Sequence, residues 1–159
     1  MTLDDFESMA AFRERVREAV DEAVARRARQ LALVDPDFAE WPLDQPAMLE
    51  GLTRFVQLPE RRVVLIGRQF DSVQRQFPRF VRWRRTFAHA VQPLAPVDDG
   101  VELPTVLLAD RSFALRVLER VRWRGRVVTE ARAARLLADE IDAFAQRCEP
   151  AFAATTLGL

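Results

Sequence analysis

Met9, Phe12, Val16, Ala19, Val20 and Ala23 recur three or four residues apart, with Arg13, Glu14, Arg17, Glu18 and Glu22 between them. That spacing gathers the apolar set on one face and predicts a helix over residues 4–29. Opposite charges three or four positions apart add to it. The pattern then shortens. QLALV (30–34) is an apolar run closed by Asp35-Pro36, where the proline stops a strand. Pro46 suits the first turn of a helix over 46–57, with Met48, Leu49, Leu52, Phe55 and Val56 turned inward. RRVVLIGR (61–68) contains four successive apolar residues, as a parallel strand buried on both faces requires.

Asp71 or Ser72 can cap a long helix whose buried stripe is Val73, Phe77, Phe80, Phe87 and Val91. Pro78 lies inside it and predicts a kink or a displaced start. Val91–Leu94 predicts a brief strand and Asp98-Asp99-Gly100 a turn. ELPTVLLADRSFALRV (102–117) reads as a buried strand, a charged turn at Asp110 and an antiparallel return. RVRWRGRVV (120–128) alternates Val121, Trp123 and Val127 with Arg120, Arg122, Arg124 and Arg126, which predicts a strand with one wet face. Thr129 is placed to cap a closing helix with the stripe Ala134, Leu137, Ile141, Phe144 and Cys148, ended by Pro150. A small-residue tail, AFAATTLGL, follows. Helices alternating with strands predict an α/β fold, a single mixed sheet flanked by helices. Ligand sites in such sheets lie beyond the carboxyl ends of strands. Asp35, the stretch 67–71 and Asp110 gather at such ends if those strands run parallel.

The 159 residues suit one domain, 1–159, and 49% hydrophobic content suffices for a real core. Net charge is zero, so no global field draws the chain to nucleic acid or to an anionic membrane, and nucleic acid is not expected as a partner. The opening MTLDDFESM lacks the apolar core of a signal peptide, and no apolar run approaches the ~18 residues of a membrane span. A single cysteine, Cys148, cannot form an internal disulfide, which fits a cytoplasmic protein.

Every one of the 24 basic residues is arginine. Without lysine there is no Schiff-base amine, no ammonium on a nucleotide phosphate and no low-pKa amine base. Arginine does not replace lysine in proton transfer, because it keeps its proton. The remaining candidates each carry a bland reading beside the chemical one. Asp35-x-Asp37 after an apolar strand resembles the nucleophile motif of haloacid-dehalogenase-type phosphatases, in which Mg²⁺ bridges two aspartates. The lysine of that mechanism is missing, and a strand-ending turn explains the pair equally. His89 is the sole histidine, and Ser8, Ser72 and Ser112 sit in no Gly-x-Ser-x-Gly elbow. One histidine and one cysteine do not make a zinc site, and no cofactor is expected. Cys148 reads as a small core residue. Arg75, Arg79, Arg82 and Arg85 share a helix flank, and Arg120, Arg122 and Arg124 share a strand. With Trp83 and Trp123 among them they match a single-stranded nucleic-acid groove, or else solvated faces and internal ion pairs.

The element order resembles one half of the phospholipase D fold, from a leading helix with an Arg/Ala-rich end into a strand such as QLALVDPDF. That family's signature is His-x-Lys-x(4)-Asp on a strand that turns back after the aspartate. Setting its aspartate on Asp110 puts Leu103 and Thr105 where the histidine attacks phosphorus and the lysine binds phosphoryl oxygens. More narrowly, the chain resembles an uncharacterised phospholipase D-like family of unknown function, DUF7931, from the first helix to the closing Thr155-Thr156-Leu157-Gly158-Leu159. The resemblance implies a catalytically empty binding or regulatory module, with a homodimer as its assembly. Its site would be the cleft rimmed by Asp35, Arg68, Asp71, Asp110 and Arg111, where arginine holds an anionic small molecule. Two alternatives stand beside it: a Mg²⁺-dependent phosphate-ester hydrolase using Asp35 and Asp37, and a protein partner bound along the Arg/Trp strand.

Overall fold

The computed structural model describes residues 3–154, so the closing run 155–159 lies outside the described residues. The chain runs β1 (Phe6–Glu7), α1 (Met9–Ala25), β2 (Gln30–Val34), α2 (Pro46–Val56), β3 (Arg62–Ile66), α3 (Asp71–Gln76) and α4 (Pro78–Thr86). A 3-10 turn (Ala88–Ala90) leads into β4 (Val91–Pro96), β5 (Val106–Ala109), β6 (Phe113–Glu119), β7 (Arg124–Val128), α5 (Ala131–Gln146) and β8 (Cys148–Pro150). The strands form one mixed sheet in the order β1-β7-β6-β5-β2-β3-β4-β8. β2, β3 and β4 are mutually parallel, and every other pairing is antiparallel. The α/β fold with a mixed sheet flanked by helices is as expected.

The apolar runs sort by parity. Leu31, Leu33, Val63, Leu65 and Leu107 pack with the stripes of α1 to α4 on one face. Ala32, Val34, Val64, Ile66 and Leu108 pack with Leu137, Ala138 and Ile141 of α5 on the other. Strands buried on both sides have no polar alternation, which is why β2 and β3 read as continuous apolar runs.

Several boundaries differ from the sequence pattern, each for a local reason. The first helix begins later, at Met9, because the Ser8 hydroxyl accepts the Ala11 amide at 3.0 Å, and residues 6–7 pair with β7 instead. Pro78 splits the long middle helix, since Phe77 takes a non-helical conformation (φ −123°, ψ 65°). Neither Asp71 nor Ser72 caps α3; the start of α4 is held by the Asp44 carboxylate, which accepts the Phe80 amide at 3.0 Å. His89 stands exposed on the 3-10 turn. Glu130, not Thr129, caps α5, and its carboxylate accepts the amides of Arg132 and Ala133 at 2.9 Å each. Those amide bonds hold the Glu130 carboxyl below its ordinary pKa. Cys148 lies past that helix, in β8, half-buried, with its thiol donating to the Phe144 carbonyl at 3.1 Å. Burial pushes the thiol upward, away from the nucleophilic thiolate.

The largest departure is at 120–128. Arg120 to Trp123 form the turn of a hairpin, and only Arg124–Val128 is strand. Trp123 has a left-handed φ of 55°, which swings its ring inward onto Phe12, 4.8 Å away. The period-two pattern over the turn is a product of that geometry, not of a strand.

Candidate functional site

Strand direction decides which predicted residues meet. β5 runs antiparallel to β2, with Ala109 opposite Leu31, so Asp110 and Arg111 emerge at the amino-terminal end of β2. Asp35 emerges at the other end, about 16 Å away at ~3.3 Å per residue. The expected cleft holding Asp35, Arg68, Asp71, Asp110 and Arg111 together is therefore two separate places.

At the first place, Asp110 is a backbone clamp. Its Oδ1 accepts the amides of Arg29 and Gln30 at 3.0 and 2.9 Å, and its Oδ2 lies 3.1 Å from the Arg29 amide. Arg111 turns to α5, with Nη2 on Asp139 at 2.6 Å and Nη1 3.5 Å from Asp142. The Asp139 hydrogen bond raises the Arg111 pKa further.

At the second place, Asp35 is 1% exposed. One oxygen accepts the amides of Asp37 (3.1 Å) and Phe38 (2.8 Å); the other accepts the Thr105 hydroxyl at 2.5 Å and lies 3.5 Å from Arg120 Nη1. Asp37 accepts the Ala39 amide at 3.0 Å. The Asp-x-Asp pair thus folds a turn onto its own amides, as short acidic side chains after a strand commonly do. It is not a bridging pair for Mg²⁺, and the hydrolase reading is corrected. Among the described residues no group of three or more His, Cys, Asp or Glu is placed to hold a metal. Arg68 sends Nη1 to the Asp99 carbonyl at 2.5 Å, and exposed Asp71 opens α3. Asp35→Ala strips the Phe38 amide and the Thr105 hydroxyl of their acceptor inside the protein. We expect a loss of about 2 kcal/mol, read as a lower urea midpoint at unchanged slope; an unaltered midpoint would show the turn holds without it.

The basic residues separate as well. Arg82 and Arg85 are exposed on α4, over the β3–β4 flank. Arg120, Arg122 and Arg124 belong to the β6–β7 hairpin. β7 and β4 are five strand positions apart, about 24 Å at ~4.8 Å per step, so the two tracts line no common groove. Nor are the tryptophans platforms for bases. Trp83 and Trp123 are 8% and 6% exposed, and Trp83 donates its indole N–H to the Thr53 hydroxyl at 2.9 Å. The stacking groove expected from Arg/Trp interleaving is not formed.

The hairpin nonetheless concentrates arginines, of which Arg124 stands opposite Glu119 and Glu7 and Arg120 lies near Asp35. Arg116 on β6 stands directly opposite Arg126 on β7. Like charges facing across a ladder destabilise it, and Glu140, 3.8 Å from Arg116, is the only carboxylate within ion-pair reach of either among the described residues. Arg122, Arg124 and Arg126 form no ion pair and no side-chain hydrogen bond among those residues. Asp5, on the adjoining segment, spends an oxygen on the Val127 amide at 2.8 Å. At the tip, Val121 is 90% exposed between Arg120 and Arg122. Arg120 lies over the Trp123 ring, 5.2 Å from its centroid.

The middle helices hold a residue that the sequence pattern passed over. Arg84 is 6% exposed, and burial lowers its pKa. It sits four residues after Phe80 and three before Phe87, on the apolar stripe itself, and that register is the signal that could have found it.

No family model matches the chain, and no curated protein matches it. The chain is similar in structure to TrmBL2, an archaeal chromatin protein whose structure is described as showing a novel mode of DNA binding. The TM-score is 0.62 at 12% identity, over 91% of this chain and 52% of that one, so the chain spans about half of the neighbour's length. At such identity the likeness speaks for the fold. It corrects the expected phospholipase D-like membership, for which no match stands, and with it the empty phospholipase module. Thr105 and Asp110, the positions on which that resemblance leaned, hold Asp35 and the start of β2. The expectation that nucleic acid is no partner is corrected too: zero net charge cancels over the whole chain, not over the hairpin, and the solved neighbour is a DNA-binding protein.

Proposed function

We propose that the chain is a DNA-binding domain, acting as one unit over residues 1–159, that meets the phosphates of a duplex with the β6–β7 hairpin. The observation that carries this reading is the arginine set on that hairpin: Arg126 faces Arg116, and Arg122 at the tip has no ion-pair partner among the described residues. A phosphate between facing guanidiniums relieves their repulsion and takes planar, two-pronged hydrogen bonds. The exposed valine at the tip of the hairpin suits contact with a thymine methyl at the edge of the major groove. The DNA-binding description of TrmBL2 agrees with this reading. Buried tryptophans favour a duplex over a single strand, because no aromatic platform is offered. No helix among the described residues is long and apolar enough to cross a membrane, and a cytoplasmic setting accompanies the reading.

Fluorescence anisotropy with a labelled 20-base-pair duplex tests it. The expected slope of log K against log salt is negative. The triple change Arg122→Gln, Arg124→Gln and Arg126→Gln should weaken binding about tenfold or more at low salt and flatten that slope by about one unit per arginine. Arg82→Gln with Arg85→Gln, on the other flank, serves as comparison. Loss of binding there with none at the hairpin would sink the proposed interface, as would a duplex that fails to bind the wild-type protein.

A further inference from the structure

We propose that Arg84 is the anchor of a second site, a small anion pocket between α4 and residues 152–154 that takes the phosphate or carboxylate group of a small molecule. The guanidinium is nine-tenths buried, yet it has no counter-ion among the described residues. Nη2 donates to the Phe152 carbonyl at 3.3 Å, while Nε and Nη1 are closed off from solvent and meet no acceptor among the described residues. The surrounding sequence offers none, since no acidic residue occurs from Ser72 to Val97.

Burying a cation without a partner is unfavourable, and removing the partner of a buried charge is among the more damaging changes a protein can suffer. The cover of the Phe152 ring, 5.7 Å from the guanidinium carbon, leaves two N–H donors unmatched. A cavity of about 220 Å³ adjoins the site, lined by Arg84, Gln74, Val81, exposed Arg85 and the backbone stretch from Phe152 to Ala154. Its size falls below the roughly 300 Å³ at which pockets for drug-sized ligands begin, which fits an oxyanion on a short carbon body. An oxyanion received there gains charge-assisted hydrogen bonds from a desolvated guanidinium, with Arg85 and the Gln74 amide on the rim.

Phe152 sets the access. Its ring stacks on Phe70 at 5.4 Å, and the adjacent Ala151 amide donates to the Pro93 carbonyl at 3.0 Å. The ligand reaches Nε and Nη1 by displacing the Phe152 ring while the Ala151 bond holds the segment to β4.

The experiment uses the full chain with inorganic phosphate and succinate as separate probes, against sodium chloride of equal ionic strength. In wild type, melting temperature should rise saturably with at least one of the two, and the probe that acts identifies the source. Arg84→Met should melt at or above wild type without anion, because it removes an unpaired buried charge, and should lose the anion-dependent rise. Phe152→Ala should keep the rise and reach saturation at lower anion concentration. The Arg84 Nε–H resonance of ¹⁵N-labelled wild type gives a readout independent of any variant, and it should shift with the active probe. Equal responses of wild type and Arg84→Met overturn the site, as does an Nε–H signal that neither probe moves or that duplex DNA alone moves.

Discussion

Replacing Gly125 by alanine will pull the hairpin away from the amino-terminal strand. A Cβ built there lands 2.2 Å from Phe6 Cζ and 2.5 Å from the Arg116 carbonyl oxygen of the paired strand. The ring could turn aside, but the carbonyl belongs to the β6–β7 ladder, where Val117 pairs with Gly125. Overpacking of this kind costs 1–3 kcal/mol where side chains give way, and the backbone contact places this case at about 3 kcal/mol or beyond. For a chain of this size that is a fall in melting temperature of about 6–12 °C. The double variant Phe6→Ala, Gly125→Ala separates the two contacts and should recover the ring's share alone. A single variant melting with wild type would show that the strands are not packed this closely.

Phe12→Ala should rank beside it. Phe12 is 2% exposed and stands at the centre of an aromatic group, with ring centroids 5.6 Å from Phe6, 5.5 Å from Trp41 and 4.8 Å from Trp123. Truncating a buried phenylalanine costs about 3–5 kcal/mol, and the upper part applies where large rigid neighbours cannot collapse into the gap. α1, the turn after β2 and the hairpin converge on this ring, so tryptophan emission from Trp41 and Trp123 should move to longer wavelength before the helices unfold. Chemical denaturation followed by fluorescence and by circular dichroism checks both statements. Coincident transitions at the wild-type midpoint would contradict them.

What the sequence discloses here follows the range of the forces involved. β2 and β3 are legible because burial on both faces leaves uninterrupted apolar runs, and Pro78 announces the break between α3 and α4 through its own ring. Asp35 and Asp110 look alike in sequence, each an aspartate closing a buried strand. Only the antiparallel pairing of β5 with β2 sends them to opposite ends, and nothing local encodes that direction. Trp123 reads as a strand residue because its left-handed backbone turn is invisible to periodicity. β1 is too short, at two residues, to leave a pattern. The arginines of the hairpin were visible as a tract; that Arg116 faces Arg126 depends on a register set by the turn and by the irregularity between Val117 and Glu119. Arg84 illustrates the reverse case. Its position on an apolar stripe was in plain view, but charged side chains are so seldom buried without a partner that the default reading puts them in water.

The two borders of the sheet carry a last consequence. One ends in the two residues of β1, the other in the three of β8, which closes on Pro150. A neighbouring molecule looking for a ladder of free amides finds only stubs, one of them finished by a residue with no N–H to share. Concentrated solutions of this polypeptide should therefore resist growing into fibrils by edge-to-edge zippering.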